Sequence, residues 1–276
     1  MWTFYELKSR AKEVLRTSYG KSLLAILICN LIGGGINLNV NTASVTNPDI
    51  SNIETAIVNN IGPFSGLFGG ILVSSLLVSF FITFPINVGR VRFFNESARD
   101  KISLKEVFYP FTNGLSNYLN IVKVGFFKIL FLFLWGMVPL VVILVPFTVS
   151  RFAETFEAYI AFTFIIIIAM TYLALIPMIV KYYQYFFVEY ILADEPGIGW
   201  REALKKSKAM ADGNKFRIFL LGLSFVGWFL LGAVCFGIGV IFVMPYINAT
   251  FTELYLKLKD NTDKEYVYSQ SEYEEI

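Results

Sequence analysis

The sequence predicts an all-α polytopic membrane protein, with six transmembrane helices in three parallel repeats of a cytoplasmic interfacial amphipathic helix and a transmembrane hairpin. Three observations lead to this prediction. Hydrophobic residues make up 56% of the chain and charged residues only 16%. Lysine and arginine fall almost entirely on one side of the predicted spans, and a short helix-start motif occurs three times. A soluble domain of 276 residues could not bury this much apolar surface, so we expect lipid to cover it.

The spans follow from the apolar runs, because crossing a bilayer as a helix takes about 20 apolar residues. Four runs are clear, at about 22–36, 63–88, 124–149 and 158–180. A fifth run, 218–246, is longer than one span needs at ~1.5 Å per residue across a core of ~30 Å. Gly237 and Gly239 offer a break near its middle. We therefore predict two helices there, at about 216–236 and 238–257.

The basic residues give the orientation. With six spans, all of the 23 lysines and arginines except Arg151 lie on the same side. Five spans would instead put the lysines of the C-terminal tail on the other side. Because cytoplasmic loops carry the excess of basic residues, the sequence predicts a multi-pass protein of the plasma membrane with both termini in the cytoplasm.

The helix-start motif predicts an internal threefold repeat and occurs at 2–7, 102–107 and 198–203. Each copy reads apolar, small N-cap residue, apolar, variable, Glu, apolar. Thr3 and Ser103 are predicted N-caps, and Glu6 and Glu106 are expected to complete capping boxes by reaching back to the cap amide. Gly199 is the weaker cap of the third copy. An amphipathic stretch follows each start, and we expect these stretches to lie in the membrane interface with basic residues toward anionic headgroups.

A proline occurs in the second span of each hairpin, at Pro85, Pro177 and Pro245, and is predicted to kink the helix. Units with two spans keep the same orientation, so the repeats should be parallel. The predicted organisation is one membrane domain, 1–259, with repeats at about 2–97, 98–194 and 195–259. The acidic tail 260–276 is expected to be disordered.

Two features of the spans bear on function. Small residues recur at every fourth position at Gly62, Gly66, Gly70 and Ser74, which favours close helix packing, either within the protein or at a homodimer face. No Asp, Glu, Lys or Arg lies near the middle of a predicted span, and this disfavours an ion-coupled pump. Lys128, near a span end, is interpreted as snorkelling to the headgroups.

The chain contains no His and no phosphate-binding loop, nucleophile elbow, zinc pattern or nucleic-acid module. We therefore expect no enzyme activity, no catalytic or metal site, no cofactor and no nucleic-acid partner. The expected partners are the lipid bilayer, with anionic lipids at the cytoplasmic face, and either a membrane-protein partner or a second copy of the chain.

The third repeat carries a distinctive series, with YILADEP at 190–196, EALKKS at 202–207, LSFVGW at 223–228 and MPY at 244–246. In these segments the chain resembles the domain of unknown function 975 family, bacterial integral membrane proteins. The resemblance implies a plasma-membrane protein, and it transfers no catalytic residue because the family has no established activity. The residues that match its pattern are Asp194, Pro196, Ser207, Gly213, Lys215, Ser224, Gly227, Trp228, Pro245 and Tyr246.

Three functional hypotheses remain from the sequence. The leading one is a non-enzymatic scaffold, accessory protein or resistance factor, because catalytic groups are lacking. The alternative is a passive transporter or lipid-handling protein that uses a cavity between the three repeats. A membrane enzyme ranks third and would depend on the polar loop 194–215.

Overall fold

A computed structural model describes residues 2–33, 74–75, 77–150, 170, 172–173, 175–234 and 238–274. Within these ranges every regular element is helical, so the all-α prediction is confirmed for them. The longer helices are α1 (Phe4–Gly33), α2 (Phe84–Ser97), α3 (Leu115–Ser150), α4 (Val188–Asp194), α5 (Trp200–Ala211), α6 (Lys215–Leu223), α7 (Val226–Val234) and α8 (Ile238–Glu274). A π-helical turn, Ser79–Thr83, leads into α2; a 3₁₀ turn, Leu104–Phe108, and a helical turn, Tyr109–Thr112, precede α3; and residues 175–184 are helical.

The three predicted helix starts are confirmed. α1, the 3₁₀ turn and α5 each begin at the residue after the predicted cap. The Glu6 backbone N–H donates to Thr3 Oγ1 at 3.2 Å, as expected for an N-cap. At the equivalent apolar position of each start, Leu7, Val107 and Ala203 are fully buried. The motif therefore marks places where a helix begins and docks, while the threefold repeat stays a prediction.

The prediction that Glu6 and Glu106 bond back to the cap amides, completing capping boxes, was wrong. The Glu6 carboxylate accepts from Lys257 Nζ at 2.8 Å, and the Glu106 carboxylate accepts from Arg92 Nε at 2.7 Å. Ser103 makes no capping hydrogen bond with its side chain. A hydrogen bond between two charged groups is stronger than one from a neutral amide, so these carboxylates pair with distant basic residues instead.

The first amphipathic stretch and the first span form one continuous helix, α1, rather than two. Its buried residues form a single stripe at helical spacing, namely Leu7, Ala11, Leu15, Ser18, Ser22, Ala25, Ile26 and Cys29. This stripe faces α8 and α2, so protein covers the apolar face that was predicted to lie in the membrane interface. The prediction of a separate interfacial helix was wrong here because one face stays buried throughout: its two serines, Ser18 and Ser22, are small, and a single glycine, Gly20, does not break a helix.

The third amphipathic helix, α5, has the predicted faces. Ala203 and Leu204 are buried, whereas Arg201, Lys205 and Lys208 are exposed. Its apolar face again packs on protein, against α4, α3 and α8. Protein contacts therefore cover the apolar side of this helix and leave only its basic side for an outside partner.

Two stretches, Leu115–Met137 and Lys215–Gly232, are long and apolar enough to cross a membrane. Only 22% of the most apolar window in each is fully buried, and large hydrophobic side chains such as those of Leu119, Phe133 and Leu230 are exposed, unlike those of a soluble core helix. Much of the predicted second and fourth spans, at 63–73 and 158–169, lies outside the described residues. The six-span arrangement therefore stays a prediction.

The long fifth apolar run is divided, as predicted, near Gly237. α7 ends at Val234 and α8 begins at Ile238. The two helices approach closely at Gly232, where an added Cβ would lie 2.7 Å from the Val240 backbone nitrogen. A further break, at Ser224 and Phe225, separates α6 from α7 and was not predicted.

The prolines occupy helical positions. Pro85 lies in the first turn of α2, directly after the π-helical turn, and Pro245 lies inside α8. Proline at 85 removes the amide that would bond the Phe81 carbonyl, and the Tyr118 hydroxyl donates to that carbonyl at 2.8 Å instead. Pro177 lies within the helical residues 175–184. The kinks themselves stay predictions.

α8 continues as a helix to Glu274, through most of the tail that was expected to be disordered. No proline or glycine occurs after Pro245 in the sequence. Once the packed part of α8 is formed, adding residues to an existing helix is far easier than starting one. This continuity explains the difference from the expectation based on composition.

Candidate functional site

Polar side chains line a cavity of about 280 Å³. Its walls are residues 79–87, the part of α3 around Lys128, and residues 182–189. We call it the Lys128 cavity. Its lining consists of Ser79, Thr83, Phe84, Asn87, Lys128, Ile129, Leu132, Tyr182, Phe186 and Glu189. Four of these are uncharged residues with a hydroxyl or amide, two are a lysine and a glutamate, and the other four are apolar. A concave site with a few converging polar groups is typical of small-molecule binding.

An ion pair crosses this cavity. Lys128 Nζ donates to Glu189 Oε1 at 2.9 Å, and the Lys128 side chain is only 10% exposed. The interpretation of Lys128 as a snorkelling residue was wrong, because its ammonium points to Glu189. α3 begins at Leu115, so Lys128 lies more than three turns inside this helix at ~3.6 residues per turn, and the absence of charge near the middle of a span stays a prediction.

The opposite wall carries a polar stripe that the sequence reasoning missed. Ser79, Thr83 and Asn87 follow one another at every fourth position and all line the cavity. Thr83 Oγ1 donates to the Gly33 carbonyl at 2.9 Å. Within the part of the chain that the structure describes, the Asn87 amide and the Tyr182 hydroxyl have no hydrogen-bond partner. The four-residue spacing in an apolar run was a readable signal, since such residues share a helix face.

A second polar group, the Asp194 cluster, joins three parts of the fold. Asp194 ends α4, and its side chain is only 7% exposed. Its carboxylate accepts hydrogen bonds from Lys259 Nζ at 2.7 Å, Tyr255 Oη at 3.0 Å, Arg99 Nη2 at 3.3 Å and Asn95 Nδ2 at 3.3 Å. The cluster therefore ties the end of α2 and the middle of α8 to α4.

Charge dominates the Asp194 cluster. Burial alone would raise the pKa of Asp194, but the hydrogen bond from Lys259 and the charges of Lys259 and Arg99 outweigh it and hold the pKa below its ordinary value. Burial likewise works against the charged form of Arg99, yet Asp194 and Glu96 leave its pKa raised. The carboxylate is thus ionised at neutral pH and fully engaged, which suits a structural clamp better than a proton donor.

The sequence model of a family described as "Protein of unknown function (DUF975)" matches residues 1–262. The chain belongs to this family. The match covers both the Lys128 cavity and the Asp194 cluster, and it confirms the resemblance drawn from the third repeat. Comparison with curated proteins and with solved structures gave no match.

Several residues of the DUF975 pattern have structural roles. The Pro196 carbonyl accepts from Asn120 Nδ2 at 2.8 Å. Gly213 has φ +67, a left-handed conformation that favours glycine, in the turn before α6. Lys215 donates to Asp212 at 2.9 Å. The Tyr246 ring packs edge-on against Phe225 at 5.5 Å.

Other pattern residues lie at the surface. Gly227 would meet nothing within 4 Å if it carried a Cβ, and Trp228 is 50% exposed. Ser224 is exposed and donates to the Leu221 carbonyl at 2.6 Å. Of the small-residue series, Gly62, Gly66 and Gly70 lie outside the described residues, and Ser74 is exposed. The packing role of that series stays a prediction.

The Ser207 side chain satisfies two backbone groups where the helix ends between residue 184 and α4. Fully buried, its Oγ accepts from the Phe187 N–H at 3.2 Å and donates to the Gln184 carbonyl at 2.9 Å. We expect Ser207→Ala in this DUF975 chain to lower the free energy of unfolding by about 2 kcal/mol, because two buried backbone groups lose their partner. Thermal melting in detergent measures this. Ser224→Ala, at an exposed serine, is the control and should change little; equal melting of both variants would contradict the prediction.

Among the residues that the structure describes, no group of three or more histidines, cysteines or carboxylates is placed to hold a metal ion. The polar groups of the Lys128 cavity are an ammonium, a carboxylate, an amide and hydroxyls. This set can bind charged and hydrogen-bonding groups of an organic ligand. The Lys128 cavity is therefore the candidate functional site of this DUF975 protein, and the Asp194 cluster holds the helices around it.

Proposed function

We propose that the chain is a non-enzymatic, lipid-handling protein of the bacterial plasma membrane, which takes the polar head of a membrane lipid into the Lys128 cavity. The observation that carries the proposal is the Lys128–Glu189 pair, largely withdrawn from solvent, inside a cavity otherwise lined by polar and apolar groups. The sequence favoured a scaffold and gave lipid handling as the alternative. The cavity reverses that order.

The surroundings of the cavity suit an amphiphile. Tyr182, which lines it, is 52% exposed, and Phe81 and Ile82, next to the lining residue Thr83, are exposed large hydrophobic residues. A ligand with a polar head in the cavity can thus leave its apolar part on an apolar outer surface. Water-soluble proteins rarely expose such patches, whereas lipid covers them in a membrane.

The membrane arrangement proposed with this function has six spans and cytoplasmic termini. Lys128 and Glu189 then lie toward the cytoplasmic ends of their helices, close to the headgroups of the inner leaflet. The exposed basic side of α5, with Arg201, Lys205 and Lys208, would face anionic lipids there. The described lining contains one lysine and one carboxylate, and they neutralise each other. This leaves no free acid or base there for a chemical step, which supports a passive role.

The test is photo-crosslinking in reconstituted bilayers with a phospholipid that carries the reactive group next to its headgroup. We expect labelled peptides from the walls of the Lys128 cavity. Leu132→Trp, which fills the cavity without changing charge, should reduce labelling about tenfold, equivalent to ~1.4 kcal/mol of binding. Leu134→Trp is the matched control, because Leu134 lies on the same helix but is exposed to the outside. Labelling spread evenly over the apolar surface, and unchanged by Leu132→Trp, would rule the proposal out.

A scaffold role is the second candidate, and one observation favours it. Ser224, Gly227 and Trp228, three residues of the family pattern, line a shallow outer depression together with apolar residues of α7. Their exposure leaves them free for a membrane-protein partner or a second copy of the chain. Native mass spectrometry in mild detergent tests this, with Trp228→Ala as the variant; a monomer unaffected by the substitution would speak against a scaffold.

A further inference from the structure

The Lys128 cavity holds one positive and one negative group, and they bond to each other. From this geometry we infer that the cavity selects a zwitterionic phospholipid headgroup with a primary ammonium, placing its phosphate on Lys128 and its ammonium on Glu189. The inference rests on the proposed lipid-handling function and adds to it the headgroup class.

The ion pair itself decides the charge of the ligand. A ligand that enters between Lys128 and Glu189 separates two charges that are largely removed from solvent. Leaving either charge without a partner in such a place is strongly unfavourable. An anionic headgroup would satisfy Lys128 and leave Glu189 facing negative charge, and a cationic ligand would do the reverse. Only a headgroup with both charges replaces both halves of the pair.

The hydrogen-bonding groups refine the choice. The Asn87 amide and the Tyr182 hydroxyl, which have no protein partner among the described residues, can donate to phosphate oxygens beside Lys128. A primary ammonium has three N–H donors and can form a charge-assisted hydrogen bond with Glu189. A trimethylammonium group has no N–H donor, so it cannot replace the hydrogen bond that Glu189 now accepts from Lys128 at 2.9 Å.

The size of the cavity agrees with a small headgroup. Its volume of about 280 Å³ lies just below the ~300–1,000 Å³ range of ligand pockets. Acyl chains must therefore stay outside it. The exposed apolar surface at Phe81, Ile82 and Tyr182 is the place for them. A sugar-bearing or otherwise bulky headgroup would not fit beside Phe84 and Phe186.

The test is competition binding to the full-length chain in detergent micelles, with three lipids of identical acyl chains: phosphatidylethanolamine, phosphatidylglycerol and phosphatidylcholine. We expect phosphatidylethanolamine to bind at least about tenfold more tightly than either of the others. Soluble glycerophosphoethanolamine, which has the same headgroup without acyl chains, should bind at least about tenfold more weakly than the lipid. If it bound as tightly as the lipid, the ligand would be a soluble phosphoamine and the lipid part of the inference would be overturned.

Glu189→Gln gives the sharpest variant, because it keeps the size and removes the charge. It should abolish the preference for phosphatidylethanolamine over phosphatidylglycerol. Glu202→Gln, at an exposed glutamate of α5, is the matched control and should keep the preference. If Glu189→Gln does not fold, the double variant Lys128→Glu/Glu189→Lys keeps a neutral pair and should still prefer the zwitterion with the primary ammonium.

The outcomes separate the two proposals. Equal binding of the three lipids, or tighter binding of phosphatidylglycerol or phosphatidylcholine, overturns the headgroup inference and leaves lipid handling intact. Binding of no lipid at all, with no cavity labelling in the bilayer, overturns both. An unchanged preference in a folded Glu189→Gln variant also overturns the inference, because the ammonium would then not be held by Glu189.

Discussion

Among the glycines that the structure describes, Gly89→Ala is expected to be the most damaging change to alanine, with a loss of about 3 kcal/mol of stability. Gly89 lies in α2 where this helix contacts the 3₁₀ turn that begins at Leu104. An added Cβ would overlap the Val107 carbonyl oxygen and come within 2.8 Å of its carbonyl carbon. Backbone atoms cannot rotate away as a side chain can, so α2 and the turn would have to separate.

Thermal melting of the purified protein in detergent measures this effect, and recovery of the monodisperse peak on size exclusion serves as a second readout. Gly20→Ala is the matched control. Gly20 is exposed within α1 and would meet nothing within 4 Å, so alanine should stabilise the helix by up to ~1 kcal/mol. Similar melting temperatures for the two variants would show that α2 does not pack on the turn at this distance.

Asp194→Asn is expected to lower the free energy of unfolding by about 3 kcal/mol, the scale for removing one partner of a buried ion pair. The change leaves Lys259 and Arg99 facing each other without the carboxylate that both contact. Thermal or denaturant unfolding in detergent at neutral pH measures the loss. Asp212→Asn is the control: Asp212 also pairs with a lysine, but its side chain is 71% exposed, so little change is expected.

The pH dependence of this effect has a defined sign. The pKa of Asp194 is lowered in the folded protein, so its contribution to stability is fully present above the unfolded pKa of ~3.9. The contribution is lost as pH falls through the lower folded pKa. The difference between the parent and Asp194→Asn should therefore be constant near neutral pH and shrink only below about pH 4. A difference that already shrinks between pH 7 and 5 would contradict a lowered pKa.

Part of the candidate site could have been read from the sequence. Asp194 was singled out by resemblance, and the spacing of Ser79, Thr83 and Asn87 gave a usable signal that was missed. The partner of Lys128 could not be found in this way. Glu189 lies 61 positions further along the chain, and no local pattern links the two. Pairing at this sequence distance depends on how α3 and the first turn of α4 pack.

The sequence alone determined the properties that depend on neighbouring residues: the helical class, the three helix starts after Thr3, Ser103 and Gly199, and the apolar and basic faces of α5. These follow from capping, helical spacing and hydrophobicity, which act over a few residues. Only the tertiary structure decided what covers the apolar face of α1 and which groups neutralise Glu6, Glu106 and Lys128. Those outcomes depend on side chains that are far apart in the chain and meet only when the helices pack, where a charge-assisted bond outcompetes a local one.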